Sequence, residues 1–363
     1  MMFLYSDAVD FVRDYLGASD QGESLRHARQ AVQAVHRELP SLHAWTCYLK
    51  HGRINLQAPY TTGTIEYTAS TRTLTLTGGT WPAWAAEGTV RVDDVDARVE
   101  ERSSDTDLIL SASLTFLDNI SAGTSYTLYK DAYELPADFS RMDRPVQEDG
   151  WLAEPISRQT RLWAGRYRES SGSPYAYSIE ANPERTGFYV ARFFPWPDVT
   201  ETVDFLYQAR PRPLVYDRID AGSASATASS TTITGSGTAW TTGMIGSYIR
   251  FGSDRADPPT DITGTNPYRY EGCITAVASA TSLTVEVAPD FTVNNSKLSI
   301  SDPIEMAETT MRNPYEKGAM AHAAIHRNKS GREIQQTRAE FIQAVRFAAE
   351  ADARSMAVMV AGN

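Results

Sequence analysis

Thr73-Leu74-Thr75-Leu76-Thr77-Gly78-Gly79-Thr80-Trp81 and Thr232-Ile233-Thr234-Gly235-Ser236-Gly237-Thr238-Ala239-Trp240 are two versions of one phrase. Thr73 matches Thr232, Leu74 matches Ile233, Thr75 matches Thr234 and Trp81 matches Trp240 at one constant offset. Each copy then has a glycine (Gly88, Gly246) and a stretch ending in arginine (Val90-Arg91, Ile249-Arg250). A Leu-centred stretch follows, Asp107-Leu108-Ile109-Leu110 in one copy and Ser282-Leu283-Thr284-Val285 in the other. A repeat at fixed spacing decides the domain map, because each copy must fold as one supersecondary unit. Thr73, Thr75 and Thr77 alternate with Leu74 and Leu76, the two-residue period of a strand with one buried face. Glycine-rich turns between such short stretches predict a small antiparallel sandwich or barrel, with Trp81 and Trp84 plugging the core. Two copies of one β module indicate a contact surface, since an active site is seldom copied whole.

Outside the copies the pattern changes to helix. Ser6 is a candidate N-cap for a helix carrying Val9, Val12 and Leu16 on one face and stopped by Gly17. Asp20 and Glu23 form a capping box for a second helix, whose stripe Leu25, Ala28, Val32, Val35 and Leu39 ends at Pro40. Trp45 to Leu56 reads as a bridge leaving these helices. After the second copy, Asp302, Pro303 and Glu305 satisfy three helix-start rules together, and Asn313-Pro314 breaks or restarts that helix. Ser330-Gly331-Arg332-Glu333 is a further capping box, opening a final helix with Ile334, Phe341, Val345 and Ala348 on one stripe. Helices at both ends of the chain predict one bundle closed by the two termini.

Between the copies, Tyr175, Tyr177 and Ile179 share one face of a strand, and Gly187 to Phe194 makes another. Val203, Phe205 and Tyr207 alternate in a third. The Pro195-Trp196-Pro197-Asp198 loop between the last two is expected to join an antiparallel hairpin. Ala221 to Gly237 has a linker's composition, yet its match to the first copy predicts a strand beginning near Thr231. The expected organisation is α+β. A discontinuous body (1–60, 134–220 and 302–363) combines the helical bundle with a central antiparallel hairpin region. Two mutually similar small β-sandwich or barrel modules are inserted in it, at 61–133 and 221–301.

A chain of 363 residues with 42% hydrophobic residues can bury a sizeable core. Its net charge of −11 speaks against a dedicated nucleic-acid binder, which presents a basic face. Two lone cysteines, Cys47 and Cys273, offer neither a disulfide framework nor zinc spacing, so a reducing compartment is expected. The early Asp7 and Asp10 argue against a secretory signal, and no apolar run reaches the ~18 residues that span a bilayer.

Several stretches resemble the head-to-tail adaptor (neck) proteins of tailed bacteriophages, the group that includes tail tubular protein A of short-tailed phages. Paired N-terminal helices run through Arg26-His27-Ala28-Arg29-Gln30-Ala31-Val32. Tyr133-Glu134-Leu135-Pro136-Ala137-Asp138-Phe139 is similar to the Tyr-x-Leu-Pro-x-Asp-Phe stretch of that group. Phe194-Pro195-Trp196-Pro197-Asp198, followed by Val203-Asp204-Phe205-Leu206-Tyr207, is similar to its Pro-x-Pro-Asp element and strand. The terminal helix with Phe341, Val345 and Ala348 also fits. The resemblance covers roughly half the chain, leaving the two β modules as additions like the sandwich decorations of virion proteins. It implies a non-enzymatic virion component, assembled in the host cytoplasm as a dodecameric ring beneath the portal protein. Such a ring extends the DNA channel toward a downstream tail or nozzle protein. Viral DNA would pass through without sequence-specific binding, past an acidic wall that repels it.

No catalytic, cofactor or metal constellation stands out. His322 and His326 have the i, i+4 spacing of two metal ligands, but no glutamate lies between them and no third ligand is suitably spaced. His27, His36, His43 and His51 suit helix surfaces and bundle contacts. The pairs Asp93-Asp94 and Glu100-Glu101 would fit glycoside hydrolysis only beside an aromatic cleft, and read instead as a solvated turn or edge. Ser170-Ser171-Gly172-Ser173 is no nucleophile elbow. Trp196, between two prolines, is the aromatic most expected at the surface and a candidate interface anchor, with a packed loop tip as the alternative. Arg327, Arg332 and Phe341 are the other candidate interface residues. Arg26, Arg29, Arg37 and Lys329 join those arginines as charges that either face solvent or meet an acidic neighbour. The alternative class is an adhesin-like or carbohydrate-binding virion protein using its twin modules.

Overall fold

The computed structural model describes residues 2–17, 21–148, 151–157, 159, 171–183, 185–256, 268–326 and 330–361. The fold is α+β. Contacts divide the chain into two compact units, Met1–Tyr48 with Pro211–Asn363, and Leu49–Arg210. The body expected at 1–60, 134–220 and 302–363 is therefore shared out. The bundle keeps the second module, and the central strands keep the first.

The first unit holds helices α1 (Tyr5–Leu16), α2 (Gln21–Leu42), α3 (Glu308–Ala323) and α4 (Gly331–Ala361). Val32, Val35, Leu39, Met311, Tyr315 and Phe341 meet in its core, all at most 2% exposed. Each such side chain contributes about 1.5–3 kcal/mol by leaving water. The termini meet through backbone pairing as well as packing. Tyr5 N–H donates to the Asp302 carbonyl at 2.8 Å, and Ile304 N–H to that of Phe3 at 3.0 Å.

Helix boundaries correct several expectations. Leu4, not Ser6, is the N-cap of α1; the Asp7 carboxylate accepts the Leu4 N–H at 3.0 Å, and Ser6 lies buried in the first turn. Gly17 ends α1 at φ +67°, as expected. Asp20 lies outside the described residues. Pro40 sits inside the last turn of α2, which runs on to Leu42. A proline costs the helix one N–H bond; separately, the Leu39 carbonyl, one of the last four of the helix, accepts the Trp45 indole N–H at 2.8 Å. Asp302 caps no helix. α3 starts at Glu308 and continues unbroken through Pro314. The capping box of α4 is present, with Ser330 N–H donating to Glu333 Oε2 at 3.1 Å and Glu333 N–H to Ser330 Oγ at 3.4 Å.

Each module is a curled seven-stranded antiparallel sheet. The first has strands Thr64–Thr68, Thr73–Thr77, Thr89–Val92, Val95–Arg102, Asp107–Leu110, Ile120–Thr124 and Thr127–Tyr129. The second has Ser223–Ala226, Thr232–Ser236, Tyr248–Phe251, Tyr270–Ser279, Ser282–Val285, Val293–Ser296 and Leu298–Ser301. Counted in chain order, both sheets run six-one-two-five-four-three-seven. Entry and exit lie side by side in both, through two-way backbone bonds of Tyr60 with Leu128 and of Ile219 with Ile300. The open end of the first hairpin carries a matching glycine in both modules. A Cβ on Gly63 (φ +81°) would sit 2.3 Å from the Thr77 carbonyl oxygen, and one on Gly222 (φ +86°) 2.5 Å from that of Ser236. Trp81 and Trp240 fill the cores at 1% and 3% exposure, with Trp84 partly buried beside Trp81.

The second unit sets two four-stranded sheets around Phe139, Tyr177, Phe193, Val203, Phe205 and Tyr207. One sheet orders Leu49–Leu56, Glu201–Ala209, Phe139–Glu148 and Trp151–Leu152; the other orders Glu154–Pro155, Ala176–Ala181, Tyr189–Phe194 and Ala132–Glu134. The central antiparallel hairpin is formed by Ala176–Ala181 with Tyr189–Phe194. It does not cross the Pro195-Trp196-Pro197-Asp198 loop, which carries the chain from one sheet to the other. Two prolines within three residues lack the N–H groups that a tight ladder turn would use.

Candidate functional site

Asp302 ends the last strand of the second module, where the chain turns back toward the bundle. Its carboxylate is fully buried. It accepts the backbone N–H groups of Val215 (2.6 Å) and Tyr216 (2.7 Å) and the Ser247 hydroxyl (2.7 Å), with Arg212 Nη2 at 3.3 Å. Four donors around one carboxylate compensate its desolvation. Asp302 thus fixes the module's entry, its third strand and its exit at one point. Cap rules are local and could not find this junction, because three of its partners lie more than 80 residues away and the fourth, Ser247, lies 55 away.

The candidate interface residues scatter. Trp196 is 7% exposed and stacks on Tyr129 (ring centroids 4.2 Å, interplanar angle 20°), with the Arg91 guanidinium 4.8 Å from its ring. Of the two expectations for Trp196, the packed loop tip is the one that forms, held because indole and phenol stack and the guanidinium lies over the indole ring. Phe341 is fully buried between α4 and Gly318 of α3, whose hypothetical Cβ would lie 2.8 Å from the ring. Arg332 is exposed in the first turn of α4. Arg327 and Lys329 lie outside the described residues.

Most of the histidines tie helices to their neighbours, but His51, expected in the bundle, lies on the strand Leu49–Leu56 with its Nε2 3.6 Å from Asp204. His322 bonds Glu38 at 2.8 Å, and Glu38 also pairs with Arg338, which with His322 holds its carboxyl below the usual range. His326 stacks on His27 at 4.0 Å and 9°. His322 and His326 thus turn to different partners. His36 is 6% exposed, and its Nε2 donates to the Arg212 carbonyl at 2.8 Å. Among the described residues no three His, Cys, Asp or Glu side chains converge in a metal-holding group. Asp93 and Asp94, both at positive φ, form the two-residue turn between strands three and four of the first module. Glu100 pairs with Arg72 at 2.7 Å.

Two clefts remain. One of about 310 Å³ in the second unit is walled by Thr89, Asp96, Tyr129, Arg192, Phe194 and Trp196. Arg192 Nη1 donates to both oxygens of Asp131, at 2.7 and 2.6 Å. Burial works against its charge, but Asp131 and Glu180 outweigh it and hold the guanidinium above its ordinary value. Burial pushes the Tyr129 phenol up. The other cleft, about 210 Å³ in the first unit, is lined by closed ion pairs, Arg29 with Asp217 (2.7 Å) and Asp10 with Arg13 (3.6 Å) and Arg218. Charges already paired in this way suit packing and recognition. Among the described residues no helix is long and apolar enough to cross a membrane. Comparison with protein-family models, curated proteins and solved structures finds no match.

Proposed function

We propose that this chain is a head-to-tail adaptor of a tailed bacteriophage, a structural virion protein that forms a ring beneath the portal protein and continues the DNA channel toward the tail. The observation that carries the reading is the closure of the chain's two ends into one helical bundle, with β modules inserted between. That element order is what the resemblance implies, and the Tyr133–Phe139 and Phe194–Asp198 stretches lie where they join strands of the second unit. In a closed ring each subunit offers two different surfaces, and many modest contacts add up to a tight assembly. A net charge of −11 suits a channel through which DNA slides. Portal, downstream tail protein and neighbouring copies are the partners.

Mass photometry of the purified protein mixed with its cognate portal tests this. A closed high-order complex, a dodecamer of this chain on the portal, is the expected result. A chain that stays monomeric with portal yet binds glycans would overturn the reading in favour of an adhesin-like protein.

A further inference from the structure

We infer that Arg91 and Arg250 are one docking latch present twice: a module-borne guanidinium, aimed by a cross-strand carboxylate, that fastens each β module to the segment packed beside it. The inference does not depend on ring formation. Both arginines lie on the third strand of their module, and each faces an acid on the fourth, Asp96 or Glu271, in the same register. Arg91 Nε and Nη2 each reach Asp96 at 2.8 Å; Arg250 Nε reaches Glu271 at 2.8 Å. A cross-strand ion pair that served only the sheet would sit in solvent and hold its geometry loosely. These guanidinium side chains are 12% and 5% exposed, and the groups covering them include segments from outside the module.

The two keepers differ, and the chemistry of guanidinium explains how one latch serves both. It offers a fork of donors at its edge and a weakly hydrated plane on its face. Arg250 uses the edge. Nη1 donates to Asp7 at 2.6 Å, and Nη2 to Asp7 at 2.9 Å and to the Met2 carbonyl at 3.0 Å. Arg91 spends its fork on Asp96 and sets its guanidinium carbon over the Trp196 ring, 4.8 Å from the centroid, and over the Tyr129 ring at 5.6 Å. One socket is an anionic chain end, the other an aromatic loop. The acid on the fourth strand turns the arginine toward whichever is present. Modules so fastened are held in orientation and are not free appendages.

Hydrogen exchange of the full-length protein tests the latch, because anchor and module core can be read separately. Arg250→Met is expected to speed exchange of the Leu4, Tyr5 and Ser6 amides at least about tenfold while leaving those of Ile233 and Leu283 unchanged. Asp7→Asn, which leaves the module's own chain intact, should act in the same direction and serves if Arg250→Met fails to fold, read at Tyr5 and Ser6 alone because the Asp7 carboxylate itself accepts the Leu4 N–H. Arg91→Lys keeps the charge and loses the plane. It should free the peptide around Trp196 as strongly as Trp196→Leu does, whereas Arg250→Lys keeps part of the Asp7 contact and has the smaller effect. Equal acceleration of anchor and module core, or no change at the anchors, would overturn the proposal.

Discussion

Asp302 shows what a single side chain does when its surroundings contradict its local sequence. The helix-start pattern around it is strong, yet buried backbone donors at Val215 and Tyr216 and the Ser247 hydroxyl claim the carboxylate first. Asp302→Ala leaves those donors unpaired and is expected to cost about 3–5 kcal/mol in urea unfolding, with Asp302→Asn losing less because one acceptor oxygen survives. His36 gives a pH test with a definite sign. Burial lowers its pKa from the ordinary 6.5, so the unfolded chain binds the proton more tightly than the folded one. Its contribution is complete above about pH 6.5 and is lost as pH falls toward the lower folded value. Urea midpoints at pH 7.5 and 5.5 should therefore converge in His36→Gln relative to the parent. Trp196 carries the opposite lesson to Asp302: proline-flanked tryptophan suggested exposure, and only the arrival of Tyr129 and Arg91 buries it.

At the scale of elements, alternation and capping were legible where one face or one turn decides the outcome. Leu74, Leu76, Val203, Phe205 and Tyr207 all point inward as their two-residue period requires, and the Ser330–Glu333 box opens α4 as read. The Pro195–Asp198 loop departs from the expected hairpin because a short loop between strands says nothing about whether they share a sheet. The paired glycines of the modules make a sharp prediction. Gly63→Ala and Gly222→Ala each force a Cβ against a carbonyl at positive φ and should cost about 1–3 kcal/mol each. Gly222→Ala should lose more, because three backbone atoms of Ser236 and Gly237 would lie 2.5–2.8 Å from its Cβ where Gly63 meets one at 2.3 Å and the next at 3.2 Å; the losses are measured as shifts in the unfolding midpoint of the unit that carries each residue.

At the scale of the whole molecule, two compact units with separate cores should not unfold as one. Scanning calorimetry is expected to resolve two transitions. Gly63→Ala should move only the one belonging to Leu49–Arg210, and Gly222→Ala only the other, by about 2–4 °C per kcal/mol. A single transition shifted by both variants would show the units coupled. Each unit combines one copy of the module with a different scaffold, helices in one case and paired sheets in the other.

The sequence by itself determined the duplication, three strands of each copy, the helices at both ends and their closure into one bundle. These follow from periodicity, turn chemistry and spacing, which act over a few residues or repeat at a fixed offset. Only the tertiary structure decided which scaffold each module joins, where Asp302 spends its carboxylate and that Trp196 and Phe341 lie inside. Those outcomes depend on partners far apart in the chain, and burial among them outweighs any local preference.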